Sequence, residues 1–345
     1  MAEVRDVSLE DRVGKTLAGK WRVEALLDSG AMGAVYRARH ENGQPAAIKV
    51  LHAHLALDHE TRKRFQLEGY VANKIGHPGA VRIIEHDTAE DGAPFLVMEL
   101  LEGEPLSAWL ARADRLPVPE ALAICGQLLE VLAAAHAADV LHRDIKPANV
   151  FLMRHGHVKL LDFGLARVRV GAKSMVPTAH GLALGTPHYM SPEQASGKRD
   201  EVDARSDLFA VGALLFRAVS GRRIHEETKL GPALMAAAVR RAPALAAVMP
   251  SAGPLLQRAV DTALAFDKKD RWPSAREMLE ALRGAYEESR GRTVVVPTVS
   301  TAKGRSAGPP DHEPSLVIDV AFGDDHDEAL ERERARTEEV ISSFS

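Results

Sequence analysis

The hydrophobic pattern of this chain shifts from mostly strand-like to mostly helical after Gly103, and that shift limits the folds open to it. Before it, apolar residues come in short runs: Trp21 to Leu27, Ala34 to Arg39, Ala46 to Leu51, Ala80 to Ile84 and Pro94 to Leu101. Runs of that length, bounded by turn residues, predict strands. Asn42-Gly43 predicts a hairpin between the second and third, and Glu90-Asp91-Gly92 a turn between the last two. A single helix is predicted over 58–76, with Phe65, Glu68, Ala72 and Ile75 on one side. After Gly103 the apolar spacing becomes three and four. Leu122, Cys125, Leu128, Leu132 and Ala135 lie on one helix face opened by Pro119-Glu120. Only two short strand-like pieces, Val150 to Met153 and Val158 to Leu161, interrupt the helices that follow. The expectation is an α+β chain of two lobes, strand-rich then helical, with a cleft between them.

Composition bounds the rest. The chain has 345 residues, 44 Lys and Arg against 48 Asp and Glu, and a formal charge of −4. That excludes the strongly basic balance of a nucleic-acid coat. Residues 291–345 alone hold 6 basic and 11 acidic side chains, so the negative balance belongs to the tail. This tail also holds Pro297, Pro309, Pro310 and Pro314 and many Ser and Thr, a composition that predicts disorder. The predicted boundaries are a leader over 1–18, a domain over 19–286 divided into lobes 19–101 and 102–286, and an acidic tail over 287–345. The lone Cys125 cannot form an internal disulfide and reads as a small apolar residue on a buried helix face. The first twenty residues lack an apolar core and no run of about 18 uninterrupted apolar residues occurs, so the chain reads as cytoplasmic without a membrane span. The pairs His52-x-His54 and His155-x-His157 lack a second ligand pair at zinc spacing and read as surface or loop histidines.

Four motifs carry chemistry, and their order carries more than any one alone. Leu27-Asp28-Ser29-Gly30-Ala31-Met32-Gly33-Ala34-Val35 sits at a strand–turn–strand junction, where Gly30 and Gly33 let backbone approach a phosphate chain. By itself a Gly pair in a hairpin is usually only a turn. Next, Ala46-Ala47-Ile48-Lys49 embeds a lysine in an apolar strand, where it must snorkel or meet a negative partner; Glu68 is available on the following helix. His142-Arg143-Asp144-Ile145-Lys146-Pro147-Ala148-Asn149 then packs a carboxylate, an amine and an amide into a short loop. Such a carboxylate can orient or accept a hydroxyl proton, the ammonium can neutralise a transferring phosphoryl group, and the amide oxygen suits a hard cation. Asp162-Phe163-Gly164 offers a second hard oxygen ligand.

Together these motifs resemble the protein kinase family, specifically bacterial eukaryotic-type Ser/Thr kinases, over roughly residues 20–285. The resemblance implies a bilobal kinase fold, ATP and Mg2+ (or Mn2+) as cofactors, and Ser/Thr hydroxyls of proteins as acceptors. Residues 27–35 are then the lid over the phosphates: Leu27, Asp28, Ser29, Gly30, Ala31, Met32, Gly33, Ala34 and Val35. It further implies that Lys49 holds the α- and β-phosphates and pairs with Glu68. Met98 takes the gatekeeper position, the backbone of Glu99 and Leu101 meets the adenine edge, and Leu27, Val35, Ala47 and Phe151 sandwich the base. Asp144 becomes the catalytic base, Lys146 the γ-phosphate contact, and Asn149 with Asp162 the metal ligands. Gly185-Thr186-Pro187-His188-Tyr189-Met190-Ser191-Pro192-Glu193 resembles the substrate-docking segment of Ser/Thr kinases, with Thr186 reaching toward Asp144 and Lys146. Glu193 is expected to pair with Arg271, and Asp207 to bond the catalytic-loop backbone.

Arg143, directly before Asp144, implies control by a phosphate in the activation segment, for which Thr178 is the expected site and Ser174 the competitor. Autophosphorylation in trans would require a homodimer. The sequence departs from the family at Asp28, which replaces the first glycine of the lid, and at Ala31, which replaces a frequent but dispensable one. Two rival readings remain: an ATP-binding pseudokinase or signalling scaffold without turnover, and a small-molecule phosphotransferase. The complete set Lys49, Glu68, Asp144, Asn149 and Asp162 opposes the first, and the segment from Thr186 to Glu193 opposes the second.

Overall fold

The computed structural model describes residues 9–163 and 187–291, apart from the side chains of Arg64, Glu68, Tyr70 and Arg199. Its first part is a six-stranded antiparallel sheet in the order β1-β2-β3-β4-β6-β5. The strands are β1 (Thr16–Leu17), β2 (Trp21–Ser29), β3 (Gly33–His40), β4 (Pro45–Leu51), β5 (Ile83–Thr88) and β6 (Pro94–Met98). The β3–β4 hairpin turns where Asn42-Gly43 predicts it: Gly43 takes φ 92°, and Asn42 Oδ1 accepts the Gln44 N–H. Register then sorts the side chains. Ala34, Val50 and Phe95 share one face with Tyr36, Ile48 and Val97, and all six are buried in a small core with Trp21 and Val23. Val35, Lys49 and Leu96 share the opposite face, as do Ala47 and Met98. The lysine therefore points away from that core by alternation alone.

The helices α1 (Ala53–Ala56) and α2 (His59–Ile75) cross from β4 to β5. Asp58 caps α2 by accepting the Thr61 N–H at 2.9 Å, and Gly76 ends it in the left-handed region at φ 62°. Gly69 lets α2 lie on the sheet, since a Cβ there would press on Leu96 and Ile83.

Beyond residue 102 come β7 (Gly103–Pro105), α3 (Leu106–Ala113), α4 (Val118–Ala137), β8 (Val150–Met153) and β9 (Val158–Leu160); the three strands form a small antiparallel sheet. Then follow α5 (Pro192–Ala195), α6 (Ala204–Ser220), α7 (Leu230–Val239), α8 (Leu245–Val248), α9 (Pro254–Ala263) and α10 (Ala275–Gly291). A continuous core runs from Phe65 and Leu96 in the first lobe through α4, α6, α9 and α10. By length and composition α4 could cross a membrane, but its apolar residues, Cys125 included, pack this core. Helix α6 lies deeper still, with Ser206 to Phe216 buried without a break.

Two expectations from sequence are corrected. The strand expected from Ala80 to Ile84 runs instead over Ile83–Thr88, while Ala80 and Val81 pair with Leu160 of β9 in the other lobe. The polar end, Glu85 to Thr88, hides an edge strand because only one of its sides is covered; Glu85 there receives Trp21 Nε1 and Lys20 Nζ. The boundaries also move outward. Residues 9–17, assigned to a leader, strap the first lobe: Leu17 is buried, Tyr36 donates to the Leu9 carbonyl at 3.0 Å, and buried Arg12 meets Asp91 at 2.5 Å. At the other end α10 runs to Gly291, past the expected domain boundary at 286. Too few apolar residues mark the strap for periodicity to find it. Arg12→Ala should lower stability by about 3 kcal/mol, because it leaves Asp91 uncompensated. A thermal melt checks this, and an unchanged Tm contradicts the strap.

Candidate active site

Four chain segments converge on the cleft between the lobes. The β2–β3 turn forms its roof, and the two glycines there differ in kind. A Cβ on Gly33 would run into the Val50 carbonyl of β4, so this glycine is demanded by the sheet itself. A Cβ on Gly30 would meet nothing within 4 Å, so Gly30 borders open space. Asp28 folds back, its Oδ1 accepting the Ser29 N–H at 2.8 Å. Beneath lie Leu27 (51% exposed), Val35, Ala47, Met98 and Phe151, apolar groups from both lobes of which only Ala47 is fully buried.

Lys49 reaches across the cleft, its Nζ 2.6 Å from Asp162 Oδ1. Asp162 holds φ 55°, a region L-residues rarely adopt, and this turn separates its carboxylate from the next side chain. Phe163 is buried edge-on against His142, with ring centroids 4.8 Å apart. The buried His142 ring joins the two loops: Nδ1 accepts the Asp144 N–H at 3.2 Å and Nε2 donates to the Leu161 carbonyl at 2.8 Å, which fixes the Nε2–H tautomer.

The loop from His142 to Asn149 hangs from α6. Asp207 accepts the His142 N–H at 3.0 Å, the Arg143 N–H at 2.8 Å and His136 Nε2 at 2.9 Å. Burial alone would raise this carboxyl; the His136 hydrogen bond and the backbone donor hold it below the usual carboxylate range. Arg143, at φ 67°, carries the chain around to Asp144. Lys146 Nζ stands 2.7 Å from Asp144 Oδ2. Asn149 Nδ2 donates to the Asp144 carbonyl at 2.8 Å and to Oδ2 at 3.1 Å. Because a carbonyl only accepts, the Asn149 amide is oriented, and its oxygen is the free end.

Sequence reasoning missed three supports. Lys159 of β9 places Nζ 3.1 Å from both oxygens of Glu99, and Arg82 N–H donates to Glu99 Oε1 at 2.7 Å; the connection between the lobes is thus tied to β9 and to the start of β5. Gln194 of α5 donates to the Arg143 carbonyl at 2.9 Å. His136 on α4 holds Asp207. Each is a single polar residue in an amphipathic setting, where spacing gives no signal. The expected pair is present: Arg271 bonds Glu193 through two parallel contacts of 2.7 and 2.9 Å, Ser206 Oγ adds a third at 2.6 Å, and the guanidinium stacks on Phe209. Thr178, Thr186, Ser174 and Gly164 lie outside the described residues, as does the Glu68 side chain; the Glu68 backbone lies on α2.

Two lobes joined by one connection, a glycine-bearing roof, a lysine on the third long strand and two carboxylate loops below define the class of fold and site. The family model described as "Protein kinase domain" matches residues 21–281, and the chain belongs to that family. It is 37% identical over 288 residues to "Serine/threonine-protein kinase Pkn1" of Myxococcus xanthus, covering 82% of this chain and 40% of that protein. It is 35% identical to "Serine/threonine-protein kinase pkn3" of the same organism, covering 84% of this chain and 54% of the relative. The chain thus spans about half the length of these curated relatives. The solved Mycobacterium tuberculosis PknI kinase domain is similar in fold, with TM-score 0.60 and 29% identity over 79% of this chain and 98% of that one.

Glu193 gives a pH test. Burial raises its carboxyl, but Arg271 and Ser206 more than offset that, so it titrates below its ordinary value. A depressed folded-state pKa contributes stability that is complete above the unfolded value, near 4.3, and is lost as pH falls through the folded value. The stability gap between wild type and Glu193→Gln should therefore be widest at pH 7 and narrow below about pH 4 in urea titrations. A gap independent of pH contradicts the ion pair.

Proposed function

We propose that the chain is a serine/threonine protein kinase transferring the γ-phosphoryl group of ATP to protein Ser and Thr hydroxyls. The observation that carries this reading is the placement of Asp144, held by Lys146 and Asn149, on the loop that His142 ties to Leu161 beside Asp162. The names of the relatives support Ser/Thr acceptors. Phosphoryl transfer through a loose transition state asks little covalent chemistry of the protein, and asks instead for positioning and charge neutralisation.

Each residue has a part in that. Lys49 binds the α- and β-phosphates, its ammonium already brought into the cleft by Asp162. Leu27, Val35, Ala47 and Phe151 hold the base, with Met98 at its back. The Glu99 N–H is committed to the Arg82 carbonyl, so Glu99 offers the adenine its carbonyl, and Leu101 offers backbone on the same edge. Asp144 orients the acceptor hydroxyl and takes its proton, and Lys146 meets the developing charge on the transferred group. The hard oxygens of Asn149 and Asp162 fit a divalent cation, since the Asn149 amide presents its oxygen. Mg2+ (or Mn2+) bound there would neutralise phosphate charge. Thr186 docks the acceptor, and Thr178 is the autophosphorylation site read by Arg143, filled in trans within a homodimer. A cytoplasmic setting suits the buried, lone thiol of Cys125.

The test is transfer of labelled phosphate from Mg-ATP to a generic basic protein. Asp144→Asn should lower the rate by a factor of about 10² to 10⁴ while ATP still binds. ATP binding without any Asp144-dependent transfer would favour the scaffold, and transfer only to metabolites the small-molecule enzyme. Peptide mapping of the wild type after the same incubation should find phosphate on Thr178; a bare Thr178 with Asp144-dependent phosphate elsewhere removes that site.

A further inference from the structure

His52 follows β4, three residues after Lys49, and sits at the N-cap position of α1, yet its ring makes no capping bond. The ring turns to the roof of the cleft instead, with Nε2 2.8 Å from the Gly30 carbonyl oxygen. A carbonyl can only accept, so Nε2 carries a proton and donates. The His52 N–H donates to the Met32 carbonyl at 3.0 Å, so one residue holds two carbonyls of the roof on either side of Ala31. The turn is closed by Gly30 N–H to the Gly33 carbonyl at 2.9 Å, and the His54 ring stacks on His52 at 5.7 Å and 16°.

In a planar trans peptide the carbonyl and the following N–H point in opposite directions. Drawing the Gly30 carbonyl toward His52 therefore turns the Ala31 N–H away from the end of β4. That N–H takes no hydrogen bond among the described residues, and Gly30 borders open space. A backbone N–H so presented is a donor for an anion.

We propose that His52 is a positioning residue for the phosphates of ATP. It fixes the peptide between Gly30 and Ala31 before the nucleotide arrives, so less order has to be imposed on the roof when the phosphates bind. This rests on the ATP-binding reading above. It assigns a role to a side chain just past β4 rather than to the glycines alone.

The test is calorimetric binding of β,γ-imido-ATP and of adenosine to the full chain, in wild type, His52→Ala and His52→Gln. Adenosine shares the base pocket but has no phosphate, and its binding also certifies that each variant is folded. His52→Ala should weaken the ATP analogue about five- to tenfold and change adenosine less than about twofold. His52→Gln, which keeps an N–H donor of similar reach, should recover most of the loss. The proposal is overturned if His52→Ala leaves the analogue unchanged, if both ligands weaken equally, or if Gln fails to recover binding. Wild type that binds neither ligand would overturn the kinase reading itself, a different result from any of these.

Discussion

The site depends on one buried carboxylate. Asp207 lies within α6, where water does not reach, and taking a charge out of water costs several kcal/mol. Three donors offset that cost: two consecutive backbone N–H groups, of His142 and Arg143, and the His136 ring. Hydrogen bonds to a charged group contribute about 1.5–3 kcal/mol each, so gain and cost nearly cancel. What remains is geometry. Two adjacent N–H groups converging on one carboxylate force the turn at Arg143, and that turn sets the positions of the His142 ring and of Asp144.

From there the constraint passes outward. The His142 ring bonds Leu161 and packs on Phe163, which places Asp162 opposite Lys49. Gln194 ties the Arg143 carbonyl to α5, whose Glu193 is bound by Arg271. Two carboxylates of the cleft each face a lysine, Asp144 with Lys146 and Asp162 with Lys49. Acidic groups in one cleft would otherwise repel one another and the polyphosphate. The ammonium groups offset that repulsion and, on the proposed function, supply positive charge for the phosphates.

Much of this was legible in the sequence, for reasons that differ by residue. The strands of the first lobe could be read because β4 and β6, buried almost throughout, leave short continuous apolar runs around Ile48 and Val97. The motif residues were legible because their chemistry needs particular side chains at fixed spacing along short loops, as Asp144, Lys146 and Asn149 show. Gly33 was recognised for a phosphate role, whereas the structure shows that the Val50 carbonyl requires it. Long-range polar ties such as Lys159 to Glu99, 60 positions apart, leave no local trace. The edge strand Ile83–Thr88 and the strap at residues 9–17 were misread because their burial comes from single contacts rather than from a periodic face.

On the proposed function, the residues flanking β8 and β9 and the roof of β2–β3 enclose one nucleotide and its cation. A crystal structure with β,γ-imido-ATP and Mn2+, located by its anomalous signal, measures this directly. The account predicts manganese on Asn149 Oδ1 and the Asp162 carboxylate, phosphates between Lys49 and the Gly30–Ala31 peptide, and adenine between Ala47 and Phe151. Manganese bound elsewhere, or nucleotide outside the cleft, would contradict it.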